Sequence, residues 1–309
     1  MSLHVVVGAG PVGTATARLL ADSGDRVRLI TRSGGGPEHE GIERVAADAS
    51  DAATLTRHTA DATTLFSCGG PAYHRWATDW PPLGAALIGA AEASGAVLVT
   101  TGNLYGYGPV DAPMTEQTPQ RPNSVKGRVR AKLWADALAA HEAGRIRTAE
   151  VRGSDYLGAG VTSTATVLLL PKVLAGKKAS APGDLDAPHS WTYVGDVART
   201  LVAVAADESA WGRPWHVPSP PPVSVRALAV RAAELIGAPA PRLAAIPAPL
   251  LRIAGLFNTD AREVWEIRYQ SAAPFVLDSS AATAAFGITP ASTDDALLET
   301  MKDLRARAA

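Results

Sequence analysis

A G-x-G-x-x-G sequence set between an apolar β-branched run and a helical pattern constrains this chain more than any other feature. Val5-Val6-Val7 leads into Gly8-Ala9-Gly10-Pro11-Val12-Gly13, after which Val12, Ala15, Leu19 and Leu20 recur at helical spacing up to Gly24. In such a strand-turn-helix unit the first glycine permits the tight turn, the second lets a pyrophosphate approach the backbone, and the third lets helix and strand pack closely. The phosphates then meet a helix N-terminus, where free N–H groups and the helix dipole favour an anion. Gly8, Gly10 and Gly13, with Pro11 and Val12 between them, are therefore candidate dinucleotide-binding residues.

The second strand, Val27-Arg28-Leu29-Ile30, bears on which dinucleotide is bound. An NAD site usually carries an acidic residue near this point, about 20 residues past the glycine loop, to accept from the ribose hydroxyl. Here the positions are Thr31, Arg32 and Ser33. A carboxylate would repel a 2′-phosphate, whereas a guanidinium binds one through paired charge-assisted hydrogen bonds. NADP is the expected cofactor, ahead of NAD. Asp48 and the Cys68-Gly69-Gly70 stretch complete the candidate cofactor contacts.

Further strands are expected over Gly41–Ala46, Thr63–Phe66, Ala96–Thr100 and Thr148–Val151, with Ala-rich helical segments between several of them and a helix over Lys126–His141. Repeated β-α units imply an α/β fold with a doubly wound parallel sheet. From about Tyr156 glycine and proline become frequent, and two helices are announced by their caps. Ser224 precedes Val225, Leu228, Ala232 and Leu235, and Ser292 precedes Leu297, Met301 and Leu304.

Composition removes several classes. The 309 residues are 47% hydrophobic and 19% charged, a globular balance. Twenty-nine basic and thirty acidic residues leave a net charge of −1, too little for a phosphate-neutralising surface, so nucleic acid is not an expected partner. The longest purely aliphatic stretch, Val167–Leu170, ends at Pro171, far short of the roughly 20 residues of a membrane span. The first residues do not read as a signal peptide, and the single cysteine, Cys68, fits a reducing compartment, so the cytoplasm is expected. No H-E-x-x-H and no G-x-S-x-G is present, and no metal is expected.

Four blocks carry a family resemblance: Gly8-Ala9-Gly10-Pro11-Val12-Gly13, Thr100-Thr101-Gly102-Asn103-Leu104-Tyr105-Gly106, Arg152-Gly153-Ser154-Asp155-Tyr156-Leu157-Gly158, and Tyr193-Val194-Gly195-Asp196-Val197-Ala198. In this order and spacing the chain resembles the extended short-chain dehydrogenases, specifically the NAD-dependent epimerase/dehydratase group. The resemblance implies a Rossmann-type domain, here 1–155 and 188–217, interleaved with a smaller, irregular substrate domain, 156–187 and 218–309. It also implies a small-molecule substrate lying over the nicotinamide, and Thr101 as the hydroxyl that hydrogen-bonds the substrate's reacting oxygen. Members often pair through the helices after the fourth and fifth strands, so a homodimer is expected, with a face of Leu83, Leu87 and Ala91.

The chain departs from the group at its usual acid/base pair, Tyr-x-x-x-Lys. In the matching stretch the tyrosine position holds Lys126 and the lysine position Arg130. Arg130 stays protonated and can only donate. Lys126 is a candidate acid/base if neighbouring cations lower its pKa. Tyr105 and Tyr107 are alternative proton donors, and Tyr73, His74, Asp155, Tyr156, His189 and Trp191 are candidate substrate contacts. Two functions follow. One is an atypical NADP-dependent oxidoreductase or epimerase acting on a small polar, sugar-like metabolite. The other is an NADP-binding redox sensor or scaffold that has lost turnover with the tyrosine.

Overall fold

The structure, a computed structural model, describes residues 1–308. The chain runs β1 (Leu3–Val7), α1 (Pro11–Asp22), β2 (Arg26–Thr31), β3 (Ile42–Ala46), α2 (Ala52–Thr59), β4 (Thr64–Ser67), α3 (Trp76–Ser94), β5 (Val97–Asn103), α4 (Val125–Glu142) and β6 (Arg147–Gly153). There follow β7 (Asp155–Leu157), α5 (Leu170–Leu174), β8 (Ala179–Pro182), β9 (Trp191–Tyr193), α6 (Val194–Ala206) and β10 (Pro214–His216). The remainder is α7 (Val225–Leu235), β11 (Leu243–Ile246), α8 (Ala248–Phe257), α9 (Thr259–Glu266), α10 (Tyr269–Ala272), α11 (Ser280–Phe286) and α12 (Thr293–Ala308).

Seven parallel strands form one sheet in the order β10-β6-β5-β4-β1-β2-β3. A parallel sheet is covered on both faces, so its strands read as unbroken apolar runs rather than alternating ones. Val5 and Val7 pack with Leu65, Leu98, Leu87 and Ala140 on one face, while Val6 packs with Leu29, Val99, Val197 and Leu201 on the other. The strand order reverses between β1 and β4. Ligands of open α/β sheets bind in the crevice that opens at such a reversal. The register His4↔Thr64 through Val7↔Ser67 brings Gly8 beside Cys68 and Gly69.

Both expected caps form: Ser224 Oγ accepts from Ala227 N at 3.1 Å, and Ser292 Oγ from Asp295 N at 3.1 Å. β5 and β6 run beyond their expected ends because their ladder continues from Thr101↔Val151 to Asn103↔Gly153, carrying Thr101 and Gly153 to the crevice. α3 begins at Trp76, an extra turn ahead of the proline pair, and holds both Pro81 and Pro82 inside it. Buried Trp76 and Trp80 anchor this extra turn, so tertiary packing outweighs the two missing N–H donors. The face expected to meet a second copy is corrected here: Leu87 and Ala91 are buried in this chain's own core, so that pattern marks internal packing.

A second core joins Leu157, Leu169, Leu170, Leu228, Leu297 and Met301. Two small parallel pairs, β7 with β9 and β8 with β11, belong to this half. The C-terminal part also packs against the sheet half. Phe275 and Leu277 pack on Leu104, Tyr107 and Met114, and Ala282 and Phe286 lie against the sheet core.

Candidate active site

Backbone contact shapes the glycine turn. Gly8 adopts φ +98°, and a Cβ there would stand 2.4 Å from Gly69 Cα, so the ends of β1 and β4 touch main chain to main chain. A Cβ on Gly13 would lie 1.9 Å from the Gly8 carbonyl oxygen, which ties α1 to the turn. At Gly10 the same construction meets no described atom within 4 Å. Gly10 is the N-cap of α1, without a side-chain cap and with no acidic residue in the first turn. A bare, positively polarised helix start facing open space suits the pyrophosphate of a dinucleotide.

Beyond this turn opens a cavity of about 1190 Å³, walled by strand ends of the sheet on one side and by α8 and α9 on the other. Thr101 stands at its sheet side, its Oγ1 buried and with no hydrogen-bond partner among the described residues. Arg130 lies 5.0 Å from the Trp76 ring centroid and 4.5 Å from that of Trp80, and donates from Nη1 to the Thr101 carbonyl at 3.1 Å. Cation–π contact and the carbonyl fix the guanidinium, and burial pushes its pKa down from the usual arginine value. Its Nε is a second buried polar atom with no partner among the described residues.

Tyr73 and Tyr105 hydroxyls pair at 2.6 Å on the cavity wall. Burial, followed by the neighbouring phenol of Tyr73 and by Asp155, pushes Tyr105 well above the ordinary phenol range, so it holds its proton at neutral pH. Tyr156 donates to the Gly102 carbonyl at 3.2 Å, and Asp155 accepts from His189 Nε2 at 3.0 Å. Pro11, Val12, Cys68, Gly69, Gly70, His74, Asp155 and Tyr156 all line the cavity. His189 reaches it through Asp155 and a small adjoining recess, stacked on Phe275.

Other expected site residues lie elsewhere. Tyr107 is buried away from the cavity, its hydroxyl 2.7 Å from His216 Nε2 and accepting from Arg152 Nη1 at 2.7 Å, so geometry removes it as a proton donor to a bound substrate. Lys126 is buried at 2% exposure, its Nζ bonded to Glu263 and, at 2.7 Å, to Glu266 Oε2 of α9. It does not line the cavity, and its neighbours are anions rather than the cations that its expected acid/base role requires. Trp191 lines the same adjoining recess as His189, while its Nε1 donates to the Val223 carbonyl at 3.0 Å and its ring packs in the second core. At the end of β2, Thr31 Oγ1 donates to the Gly35 carbonyl and Ser33 Oγ accepts from Gly35 N, while Arg32 is exposed. Asp48 accepts from Ser50 N and Oγ, bonds that hold its carboxyl below the usual range.

Sequence reasoning missed the roof of the cavity and the tryptophan clamp. Pro247-Ala248-Pro249 and the N-cap Asn258, which accepts from Ala261 N at 2.9 Å, were the signals for α8 and α9. Trp76 and Trp80, four residues apart, share one helix face and so reach Arg130 together. Among the described residues no group of three or more His, Cys, Asp or Glu side chains is placed to hold a metal, and no helix is long and apolar enough to cross a membrane.

Three solved structures share this architecture at low identity. The Bordetella bronchiseptica enzyme WbmH, in complex with NAD+, aligns with a TM-score of 0.78 at 18% identity over 100% of both chains. UDP-glucose 4-epimerase from Thermotoga maritima, with UDP-glucose, gives 0.80 at 17% identity over 99% of this chain and 100% of that one. A double mutant of DesIV, a dTDP-glucose 4,6-dehydratase from Streptomyces venezuelae with NAD bound, gives 0.78 at 19% over 99% and 97%. No curated protein matches this chain in sequence. The sequence profile of the NAD dependent epimerase/dehydratase family matches residues 4–217. With the glycine turn, the seven-stranded parallel sheet and the crevice at its reversal, that match places the chain in the NAD dependent epimerase/dehydratase family.

Proposed function

We propose that the protein is an NADP-dependent oxidoreductase or epimerase that acts at a hydroxyl-bearing carbon or the matching carbonyl. The observation that carries this reading is Thr101, which lines the same cavity as the glycine turn and whose buried Oγ1 has no hydrogen-bond partner among the described residues. An unpaired buried hydroxyl costs about 1–3 kcal/mol, which a ligand oxygen offsets.

Gly8, Gly10 and Gly13 with the start of α1 hold the pyrophosphate, and Arg32, beyond a β2 end that lacks a carboxylate, supports NADP. The bound nicotinamide dinucleotide supplies the hydride donor or acceptor. Thr101 Oγ1 hydrogen-bonds the reacting oxygen and fixes its position. Tyr73 Oη passes its proton to that oxygen as charge develops there and regains one from solvent, to which Tyr73 is exposed, while the Tyr105 hydroxyl holds it in position. Arg130, clamped by the two tryptophans, braces the Thr101 main chain.

A second reading, a dinucleotide sensor without turnover, is favoured by one observation: Lys126, the residue expected at the family's tyrosine position, is held by two carboxylates away from the cavity. Tryptophan-fluorescence titration with NADPH and NADH, followed by a carbonyl and alcohol panel, separates the two. Thr101→Val is expected to lower turnover about 10²–10³-fold with NADPH affinity unchanged. Full activity in that variant removes the site assignment, and NADPH binding with no turnover across the panel selects the sensor.

A further inference from the structure

We infer that the substrate is an uncharged carbonyl or alcohol compound with an extended apolar body, not a nucleotide diphosphate sugar. This rests on the redox reading above and narrows it, replacing the expected small polar, sugar-like metabolite. Among the described residues the cavity is lined by only one lysine or arginine, Arg130, which lies over Trp76 and Trp80 and donates from Nη1 to the Thr101 carbonyl, leaving its buried Nε as the one cationic donor without a partner. The other charged side chains on the wall are Asp260, Asp155, which is hydrogen-bonded to His189, and Glu263, which is paired with Lys126. Arg268, in the adjoining recess, lies 3.8 Å over the Trp265 ring and donates to the Trp265 carbonyl.

A diphosphate needs cations or free N–H groups, and the helix starts around this half of the cavity offer neither. α8 begins Pro247-Ala248-Pro249, so two of its N–H donors are missing. α9 is capped by Asn258 and carries Asp260 in its first turn. The turn entering 165–169 is closed on itself, with Ser163 N donating to Thr166 Oγ1 at 2.8 Å. Carboxylates in a partly enclosed cleft repel an anion more strongly than they would in water.

Polar side chains, among them Ser154, Thr164 and Gln270, interrupt the remaining wall, and its apolar part runs out to solvent. Leu250 is 58% exposed, Val167 58% and Leu168 39%, and all three line the cavity together with Leu251, Val264 and Ile267. Exposed apolar side chains grouped at a cavity mouth mark a surface that a ligand covers. Their position, opposite the sheet that carries Thr101, suits a body extending away from the reacting oxygen.

Equilibrium dialysis on the full chain, with and without NADPH, tests this using 2-pentanone, 2-octanone, 2-undecanone, the anion 10-oxoundecanoate, UDP-glucose and dTDP-glucose. NADPH oxidation is followed alongside. Affinity is expected to rise about three- to fourfold per added methylene, from the burial of apolar surface. The anionic ketone is expected to bind at least roughly tenfold more weakly than 2-undecanone, through the desolvation of its carboxylate against the apolar wall and repulsion by Asp260. Leu250→Glu is expected to flatten the chain-length dependence and leave the dissociation constant of NADPH unchanged. Tighter binding of either sugar nucleotide than of 2-undecanone overturns the inference, as does a flat chain-length series or absence of ketone binding. Failure of NADPH and NADH to bind overturns the redox reading instead, and the arm without dinucleotide still reads the preference of the cavity.

Discussion

Lys126 Nζ lies 2.7 Å from Glu266 Oε2, and the main-chain N–H of the same lysine donates to Glu266 Oε1 at 2.9 Å. One carboxylate thus grips the first turn of α4 twice, while Glu263 takes the ammonium from the other side. Lys126 is therefore a strut between the sheet half and the roof of the cavity.

Removing that strut is expected to destabilise the protein before it alters chemistry. Lys126→Met leaves two carboxylates facing a buried apolar group and is expected to cost roughly 3 kcal/mol at pH 7.5. Burial pushes the Glu266 carboxyl up, but its bonds to Lys126 outweigh this and hold it below its ordinary 4.5. Its contribution is therefore present above that value and is lost as pH falls through the lower folded pKa. Denaturant melts of both proteins at pH 7.5 and pH 4 check this. Equal stability at pH 7.5 contradicts the strut.

Cofactor choice turns on Arg32. The exposed guanidinium lies close enough to Asp48 and Asp79 to lower the pKa of both, and Arg32→Asp would add a third carboxylate there. The substitution is expected to weaken NADPH by about 1.5–3 kcal/mol and to spare NADH. Fluorescence titration of both cofactors decides it, and an equal loss for the two sinks the assignment.

Proton transfer is assigned to the phenol pair. Tyr73→Phe is expected to lower turnover about 10²–10⁴-fold with NADPH binding intact, and Tyr105→Phe to lower it less while moving the pH profile. Steady-state kinetics between pH 6 and pH 10 measure both. Wild-type rates in Tyr73→Phe leave the pair without a role.

His216 sets a pH limit on stability. Its Nδ1 donates to the Asp278 carbonyl at 2.8 Å and its Nε2 accepts from Tyr107 at 2.7 Å, so the neutral ring fits this buried site. Burial holds its pKa below the usual 6.5. The unfolded chain then binds the extra proton first, and stability falls as pH drops below that value. Thermal melts from pH 7.5 to pH 5 are expected to show the loss, and His216→Gln to show a smaller one. An unchanged slope in that variant transfers the effect to His4, whose pKa burial also lowers.

Consecutive residues were enough to determine the dinucleotide-binding half. The glycine spacing, the apolar strands and the caps at Ser224 and Ser292 are local patterns, because turn sterics, helix starts and two-sided burial act within a few residues of sequence. Thr101 was legible only through the family resemblance, which implies a hydroxyl in the segment after the fifth strand. The rest was decided by contacts between distant segments. Glu263 and Glu266 meet Lys126 across 137 and 140 positions, and His216 meets Tyr107 across 109. The same chemistry in sequence, a lysine beside two arginines or a tyrosine in an aromatic loop, becomes a strut or a buried hydrogen bond once its partners are placed. Charge and burial at a site are sums over everything packed around it, and only the folded chain fixes that sum.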